Sequence, residues 1–470
     1  MMLLAAAALG TWLAGGKAST EEDWAQQLAR DHGCWSEVAG DGCALSALQV
    51  QARPTGRSAS SAAYAVISDS GVDSIQRPWS ESAASNDFVA ADHPGIRIVG
   101  RHRLRRDPRV CADFDFPGVQ IKARFLNTSW AAAVMRQTGD DEASYTPNSF
   151  AVYVDSELHA IFNTTDWFLK PEVRMPLFSE LDPSLPHDVT VFKRTEPQFD
   201  SRRIHPNYVT LFGFEGPPDM LLQPGLTGPV RKIEFLGDSI TAGDAASCRP
   251  HPANTTHTWD NEDQWLAFPS VICRTFDADC HIEAWSGYGM VVGCCNQPMS
   301  ASQPMSSLWL RTVASHQSLD VTTPRATPPE NLWDFRTWVP DVLVINLGTN
   351  DVYGGWPWVM PSFNATYLAL VRDAAQKYGL STHFFLACGP MTTKHCDAVQ
   401  WVVSKARATV SGLKIWYLDQ SRFLNGSYGP ACAWHPSAEV HAAMAAAGAD
   451  QIGRTLGWDP RQPGTSTEIP

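Results

Sequence analysis

The chain runs to 470 residues, long enough to bury full hydrophobic cores without metal or disulfide staples. Its composition, 44% hydrophobic and 18% charged, excludes a disordered chain. A net charge of −13 repels phosphate backbones and argues against general nucleic-acid binding. Eighteen tryptophans with few charges suit a protein that handles flat apolar faces such as sugar rings, although core packing explains any single one equally well.

Residues 1–19 have the form of a signal peptide. The apolar run Leu3–Ala14 is followed by Gly15, Gly16, Ala18 and Ser19, then by Glu21-Glu22-Asp23. That run is too short to span a bilayer, and no other stretch reaches the roughly 18 apolar residues a spanning helix needs. Asn-x-Ser/Thr sequons at Asn127, Asn163, Asn254, Asn364 and Asn425 agree with export. The 11 cysteines are compatible with an oxidising compartment, and their odd number leaves at least one outside intrachain pairs. The expected location is therefore extracellular.

Residues 20–90 are Ala/Ser-rich and poorly patterned, as in Ser58-Ala59-Ser60-Ser61. From 91 to 215 the rhythm is that of strands. Val119, Ile121, Ala123 and Phe125 alternate with Gln120, Lys122 and Arg124; Phe150, Val152 and Val154 lead through Asp155-Ser156 into Leu158–Phe162, a hairpin. Val189 and Val191, then Tyr208–Phe212, continue the pattern, which predicts an all-β, jelly-roll-like sandwich. Gly216-Pro217-Pro218, Pro224-Gly225 and Gly228-Pro229 mark a linker over 216–230.

Over 231–458 strands alternate with helices. Strands are expected at Lys232–Leu236, His281–Trp285, Val342–Leu347, His383–Ala387 and Lys414–Leu418. Phe363, Tyr367, Val371, Ala374 and Tyr378 form one apolar helix face, and Pro436-Ser437 opens an Ala-rich helix. The pattern predicts an α/β, three-layer domain with a parallel sheet, whose ligands sit beyond the strands' carboxyl ends. Residues 459–470 read as a disordered tail.

Four blocks fall at the end of a strand or the start of a helix. Gly237-Asp238-Ser239-Ile240 follows the first strand and offers a hydroxyl beside the amides that open a helix. Ser286-Gly287-Tyr288-Gly289 follows the second, where glycine lets a backbone N–H approach a ligand. Gly348-Thr349-Asn350-Asp351 follows the third and supplies an amide donor suited to an oxyanion. Trp434-His435-Pro436-Ser437 precedes the last helix and offers a general base. Each block alone has an ordinary structural explanation as a cap or turn. In this order and context they are hard to obtain by chance.

Together the blocks resemble the SGNH (GDSL) hydrolase superfamily. The preceding sandwich, with Ile98-Val99-Gly100-Arg101 at its start and Val191–Glu196 late in it, resembles carbohydrate esterase family 2, the acetyl xylan esterase-like deacetylases of plant polysaccharides. The resemblance makes Ser239 the nucleophile and His435 its base. The oxyanion hole would comprise the Ser239 and Gly287 N–H groups and the Asn350 side chain, with Gly289 as rival to Gly287. One departure stands out: where the superfamily carries an orienting Asp two or three residues before the His, this chain has Ala433 and Cys432. Some members of the esterase family resemble that state and use a Ser-His dyad held by a backbone carbonyl.

Tyr353, Trp356 and Trp358 are candidates to wall a sugar subsite. His251, His257, Asp260 and Asp263 lie in an irregular segment and make a poor ligand set, so no metal and no cofactor is expected. The expected activity is a secreted carboxylester hydrolase that removes acetyl groups from a xylan- or mannan-type carbohydrate, its partner being that acetylated polysaccharide or oligosaccharide. A general short-chain or lipid esterase on the same fold, and a carbohydrate-binding protein with weak turnover, are the alternatives.

Overall fold

The computed structural model describes residues 87–138, 145–198, 207–248, 258–294, 304–316, 327–356, 358–424 and 431–460. The expected signal peptide, residues 20–86, His251, His257, the sequons at Asn254 and Asn425, and 461–470 of the tail lie outside them.

Two antiparallel sheets come first. One contains β1 (Asp87–Ala90), β3 (Arg103–Arg105), β4 (Cys111–Phe114), β6 (Ala131–Gln137), β9 (Val173–Phe178) and β11 (Val209–Gly216), in the order β3-β4-β11-β6-β9 with β1 also on β11. The other contains β2 (Ile96–Val99), β5 (Gln120–Leu126), β7 (Ser149–Val154), β8 (Glu157–Asn163), β10 (His187–Lys193) and β12 (Leu221–Leu222), in the order β12-β5-β10-β7-β8 with β2 on β5. Strand β5 buries every second side chain, and Ile121, Ala123 and Phe125 meet Phe114, Met135, Leu211 and Phe214 in one core. Asp155 and Ser156, both at positive φ (50° and 73°), make the two-residue turn of the β7–β8 hairpin, whose twist suits such a turn.

Two segments depart from expectation. β1 lies inside the stretch expected to be poorly patterned, and β12 inside the expected linker, where it pairs with β5 through Leu221–Leu126 and Leu222–Phe125. Both are too short to show a period.

The second half builds a parallel sheet from β13 (Arg231–Gly237), β14 (Ala278–Ala284), β15 (Val342–Asn346), β16 (His383–Cys388) and β17 (Lys414–Asp419), in the order β14-β13-β15-β16-β17. The helices are α1 (Ser239–Ala242), α2 (Phe268–Phe276), α3 (Met305–Leu308), α4 (Thr349–Tyr353), α5 (Met360–Tyr378), α6 (Cys396–Thr409) and α7 (Ala438–Leu456). On one face, Phe268 and Ile272 of α2 and Val440, Met444 and Ile452 of α7 pack on Ile233, Phe235 and Val344. On the other, Phe363 and Val371 of α5 and Val399 and Val402 of α6 cover Leu236, Leu343 and Ile345. Strands buried on both sides explain the near-continuous apolar runs in their sequences. From β13 the chain moves first to β14 on one side and then to β15 on the other. The strand order therefore reverses at β13, and a ligand crevice is expected at its carboxyl end.

Arg101, just after β2, ties the sandwich to this sheet. Its guanidinium, fully buried, donates to Glu234 Oε1 on β13 at 2.7 Å and to the Arg311 carbonyl at 2.8 Å, bonds the Trp309 carbonyl, and lies 3.0 Å from Glu283 on β14. One arginine thus faces two buried carboxyls. Burial, reinforced by the Glu234 charge against the opposing pull of Arg101, pushes the Glu283 carboxyl well above the usual range. Asp115 adds a second tie by accepting from the Ala314 and Ser315 N–H groups, both at 2.7 Å. Replacing Arg101 with Met should strand a buried carboxylate and cost about 3–5 kcal/mol. Urea unfolding of the two proteins checks this, and a loss under about 1 kcal/mol would mean that the joint does not depend on this ion pair.

Candidate active site

Three neighbouring strands deliver the first three blocks to one edge. Gly237 ends β13 with its Cα against Thr241, where an added Cβ would sit 1.9 Å from Oγ1, so the chain can turn sharply into α1. Asp238 caps that helix, its Oδ1 accepting from Ile240 N–H at 3.1 Å. Ser239 is the first helical residue and is buried except for a small opening.

His435 arrives from the loop before α7. Its Nε2 lies 2.8 Å from Ser239 Oγ and its Nδ1 lies 3.0 Å from the Ala433 carbonyl. A carbonyl oxygen can only accept, so Nδ1 carries the proton in the neutral ring and Nε2 is left to accept from the Ser239 hydroxyl. Ala433 (φ 47°) and Trp434 (φ 64°) both hold left-handed backbone. Each costs roughly 1–2 kcal/mol for a residue with a Cβ. That strained pair is the local conformation that turns the Ala433 carbonyl toward the ring.

Asn350, on α4 beyond β15, is buried. Its Nδ2 donates to the Tyr288 carbonyl at 2.9 Å and to Asp238 Oδ2 at 3.3 Å. It therefore links the segment before Ser239 to the Ser286–Gly289 loop. Gly287 takes φ 81°, and Trp285 stacks on Tyr288 at 4.8 Å beneath the loop. Asp351, in the first turn of α4, clamps the neighbouring loop: its carboxylate accepts from the Met290, Val291 and Val292 N–H groups at 2.7, 2.8 and 3.0 Å. Gly289 is needed there, since an added Cβ would lie 2.5 Å from Asp351 Oδ2 and 2.0 Å from the Val292 carbonyl.

Residues that the motifs did not point to complete the surroundings. Asp244, buried, lies 3.8 Å from His435 Nε2 and accepts from Ser286 Oγ at 3.2 Å. The Ser286 N–H donates to Glu196 Oε2 at 2.7 Å, and the Glu196 N–H donates to Glu262 Oε2 at 2.9 Å. Burial, with the Glu196 and Asp244 charges adding, pushes the Glu262 carboxyl well up. Lys193 beside them donates to the Thr195 and Glu196 carbonyls, and burial pulls its amine down to about 7 against the nearby acids. The Val191–Glu196 stretch is thus a strut from the sandwich to the Ser286–Gly289 loop. Its resemblance to a family segment was the available signal, and nothing in it revealed the contact.

The expected subsite aromatics part ways. Trp356 packs edge-on to Phe363 at 5.5 Å, whereas Tyr353 and Trp358 are exposed, the latter at 85%. Trp434, beside His435 and 50% exposed, is an aromatic face that the motif reading passed over. Asp263 pairs with Arg194 at 2.9 Å and bonds the Trp265 N–H.

Residues 235–443 match the GDSL-like Lipase/Acylhydrolase family. The matched stretch carries the parallel sheet and the edge at which Ser239, Asn350 and His435 stand. The chain is similar to family 2 carbohydrate esterases. It is 28% identical over 378 residues to the Cellulase/esterase CelE of Acetivibrio thermocellus, covering 78% of this chain but only 40% of that protein's length. It is 23% identical to an acetylxylan esterase / glucomannan deacetylase of Cellvibrio japonicus over 80% of this chain and 93% of that one. A family two carbohydrate esterase from Clostridium thermocellum, solved in complex with cellohexaose, superposes with a TM-score of 0.64 at 25% identity, over 77% of this chain and all of that one.

The buried acids have measurable consequences. Asp351→Asn leaves a single acceptor oxygen for three N–H groups and should cost roughly 1–3 kcal/mol. Turnover should fall along with the melting temperature; unchanged values of both would remove the clamp from the account. Burial, with the Asp351 charge adding, also pushes the Asp238 carboxyl up to about 7. The native state then holds this proton where the unfolded chain has lost it, so the group's stabilising contribution is present at about pH 4 and lost toward pH 8. The melting temperature of Asp238→Asn minus that of the parent should therefore rise over that window, and a flat difference would contradict the shift.

Proposed function

We propose that the protein is a secreted deacetylase of carbohydrate that works through an acyl-enzyme, with Ser239 as nucleophile and His435 as its base. The observation that carries this reading is the 2.8 Å approach of Ser239 Oγ to His435 Nε2 in a ring whose other nitrogen is engaged by a carbonyl. Ser239 Oγ attacks the acetyl carbonyl as its proton passes to Nε2. The negative oxygen is met by the Ser239 and Gly287 N–H groups and by Asn350 Nδ2, which gives up its longer bond, the 3.3 Å one to Asp238. The tetrahedral species collapses, the imidazolium hands its proton to the departing sugar oxygen, and acetyl-Ser239 remains. Water, deprotonated by His435, then attacks the acetyl carbonyl, and the imidazolium returns that proton to Ser239 Oγ as acetate leaves.

Carbohydrate as substrate rests on the similarity to the acetylxylan esterase / glucomannan deacetylase and to the esterase crystallised with cellohexaose. The exposed Trp434 face beside His435 is suited to stacking against a sugar ring, and Tyr353 and Trp358 are exposed as well. Secretion is supported by the signal-like N-terminus, by three disulfides among the described residues (Cys248–Cys432, Cys273–Cys280, Cys388–Cys396), and by exposed sequon asparagines at Asn127 and Asn163.

The test compares acetylated xylan and glucomannan with short- and long-chain aryl esters. Acetylated polysaccharide and acetyl ester should turn over and long acyl chains should not; preference for long chains would select the lipid esterase instead. Ser239→Ala should abolish turnover with an unchanged melting curve. Asn350→Ala should lower kcat about 100- to 1,000-fold at nearly constant KM. A raised KM with kcat intact would make Asn350 a ground-state contact only.

A further inference from the structure

Neither Cys432 nor Ala433, the positions where the superfamily pattern carries its orienting Asp, is acidic, and the backbone there is strained, so something must hold it in place. Ala433 and Trp434 are left-handed (φ 47° and 64°), and Ala433 presents its carbonyl to His435 Nδ1 in that conformation. On the C-terminal side the turn is closed by hydrogen bonds from His435 N–H to the Cys432 carbonyl at 3.1 Å and from Ala431 N–H to the His435 carbonyl at 2.8 Å. On the N-terminal side it is anchored by Cys432, which is completely buried and bonded to Cys248.

Cys248 closes the loop that begins at the nucleophile. Asp244 N–H donates to the Ser239 carbonyl and Cys248 N–H to the Ala245 carbonyl, both at 3.0 Å. Ala245 packs with Ala431 and Cys432. The bond therefore joins the Ser239 loop to the His435 loop across 184 residues of sequence. Cys432 also stands three residues before His435, one of the two positions where the superfamily pattern would carry its orienting Asp.

Resting on the Ser-His reading, we propose that the Cys248–Cys432 disulfide is the positioning element of the dyad. It takes the place of the missing carboxylate by fixing the Ala433 carbonyl against His435 Nδ1 and the imidazole against Ser239 Oγ. The two other described disulfides do different work: Cys273–Cys280 joins α2 to β14, and Cys388–Cys396 joins the end of β16 to α6. Among the described disulfides, dependence of turnover on oxidation is thus expected of this bond.

The experiment is steady-state kinetics on acetyl ester with the full chain, comparing the parent, Cys248→Ala/Cys432→Ala and the control Cys273→Ala/Cys280→Ala. Near-UV circular dichroism and melting curves establish the folded fraction. The first pair should lose about 10- to 100-fold in kcat while remaining folded at the assay temperature, with KM within about twofold, as expected for misplaced catalytic groups. The control should keep its kcat. Equal kcat in the folded Cys248/Cys432 variant, or a loss that merely tracks the unfolded fraction, overturns the proposal.

If that variant does not fold, the parent is titrated with dithiothreitol. The reagent passes two electrons and two protons to the cystine and is itself left as its cyclic disulfide. Mass spectrometry identifies which bond has opened. Loss of kcat in step with the opening of Cys248–Cys432 supports the proposal, and full kcat with that bond open overturns it. Ser239→Ala assayed alongside separates the two readings: turnover in that variant defeats the Ser-His mechanism itself, whereas an inactive Ser239→Ala with a fully active cysteine variant defeats only this inference.

Discussion

The imidazole of His435 is suspended between two neutral oxygens, the Ser239 hydroxyl and the Ala433 carbonyl. A carboxylate at Nδ1 would orient the ring and also stabilise its cation; a carbonyl does the first and much less of the second. On the proposed mechanism, the site therefore depends on geometry more than on charge. That accounts for the elaborate backbone around the ring: two left-handed residues, a proline after the histidine, Ser437 capping α7, and a covalent tie to the nucleophile's loop. Asp244 lies 3.8 Å from Nε2, on the side where it faces an imidazolium without competing for Nδ1.

The sandwich is bound into this arrangement from below. Arg101 plants it on β13 and β14, the two strands whose ends supply Ser239 and Gly287. Glu196, just beyond the end of β10 at Lys193, holds the Ser286 N–H. A carboxylate accepting that N–H fixes the Trp285–Ser286 peptide, the one before the peptide that carries the Gly287 N–H, a proposed oxyanion donor. The cluster of Glu196, Glu262, Asp244 and Lys193 is costly to bury, and every member has a hydrogen-bond partner that helps offset the cost.

How far this could be read from sequence follows from the physics of each element. The strands of the parallel sheet stand out because burial on both faces makes them continuous apolar runs, and the edge rule then places Ser239, Asn350 and His435 at one end. Strand β6 (Ala-Ala-Ala-Val-Met-Arg-Gln) hides because small residues carry little strand signature, and β9 hides because Pro176 interrupts it, which an edge strand tolerates. Glu196, Glu262 and Asp244 were illegible for another reason: each is defined by contacts across long separations in sequence, and no local period encodes those. The same holds for Cys432, whose identity was plain but whose partner was not.

The most direct measurement is the 15N spectrum of the His435 ring, from protein labelled at histidine and assigned by comparison with a His435→Gln variant. The neutral ring should carry its proton at Nδ1 and leave Nε2 bare, because the Ala433 carbonyl can only accept. A neutral ring protonated at Nε2 would leave no lone pair facing Ser239 and would contradict the account.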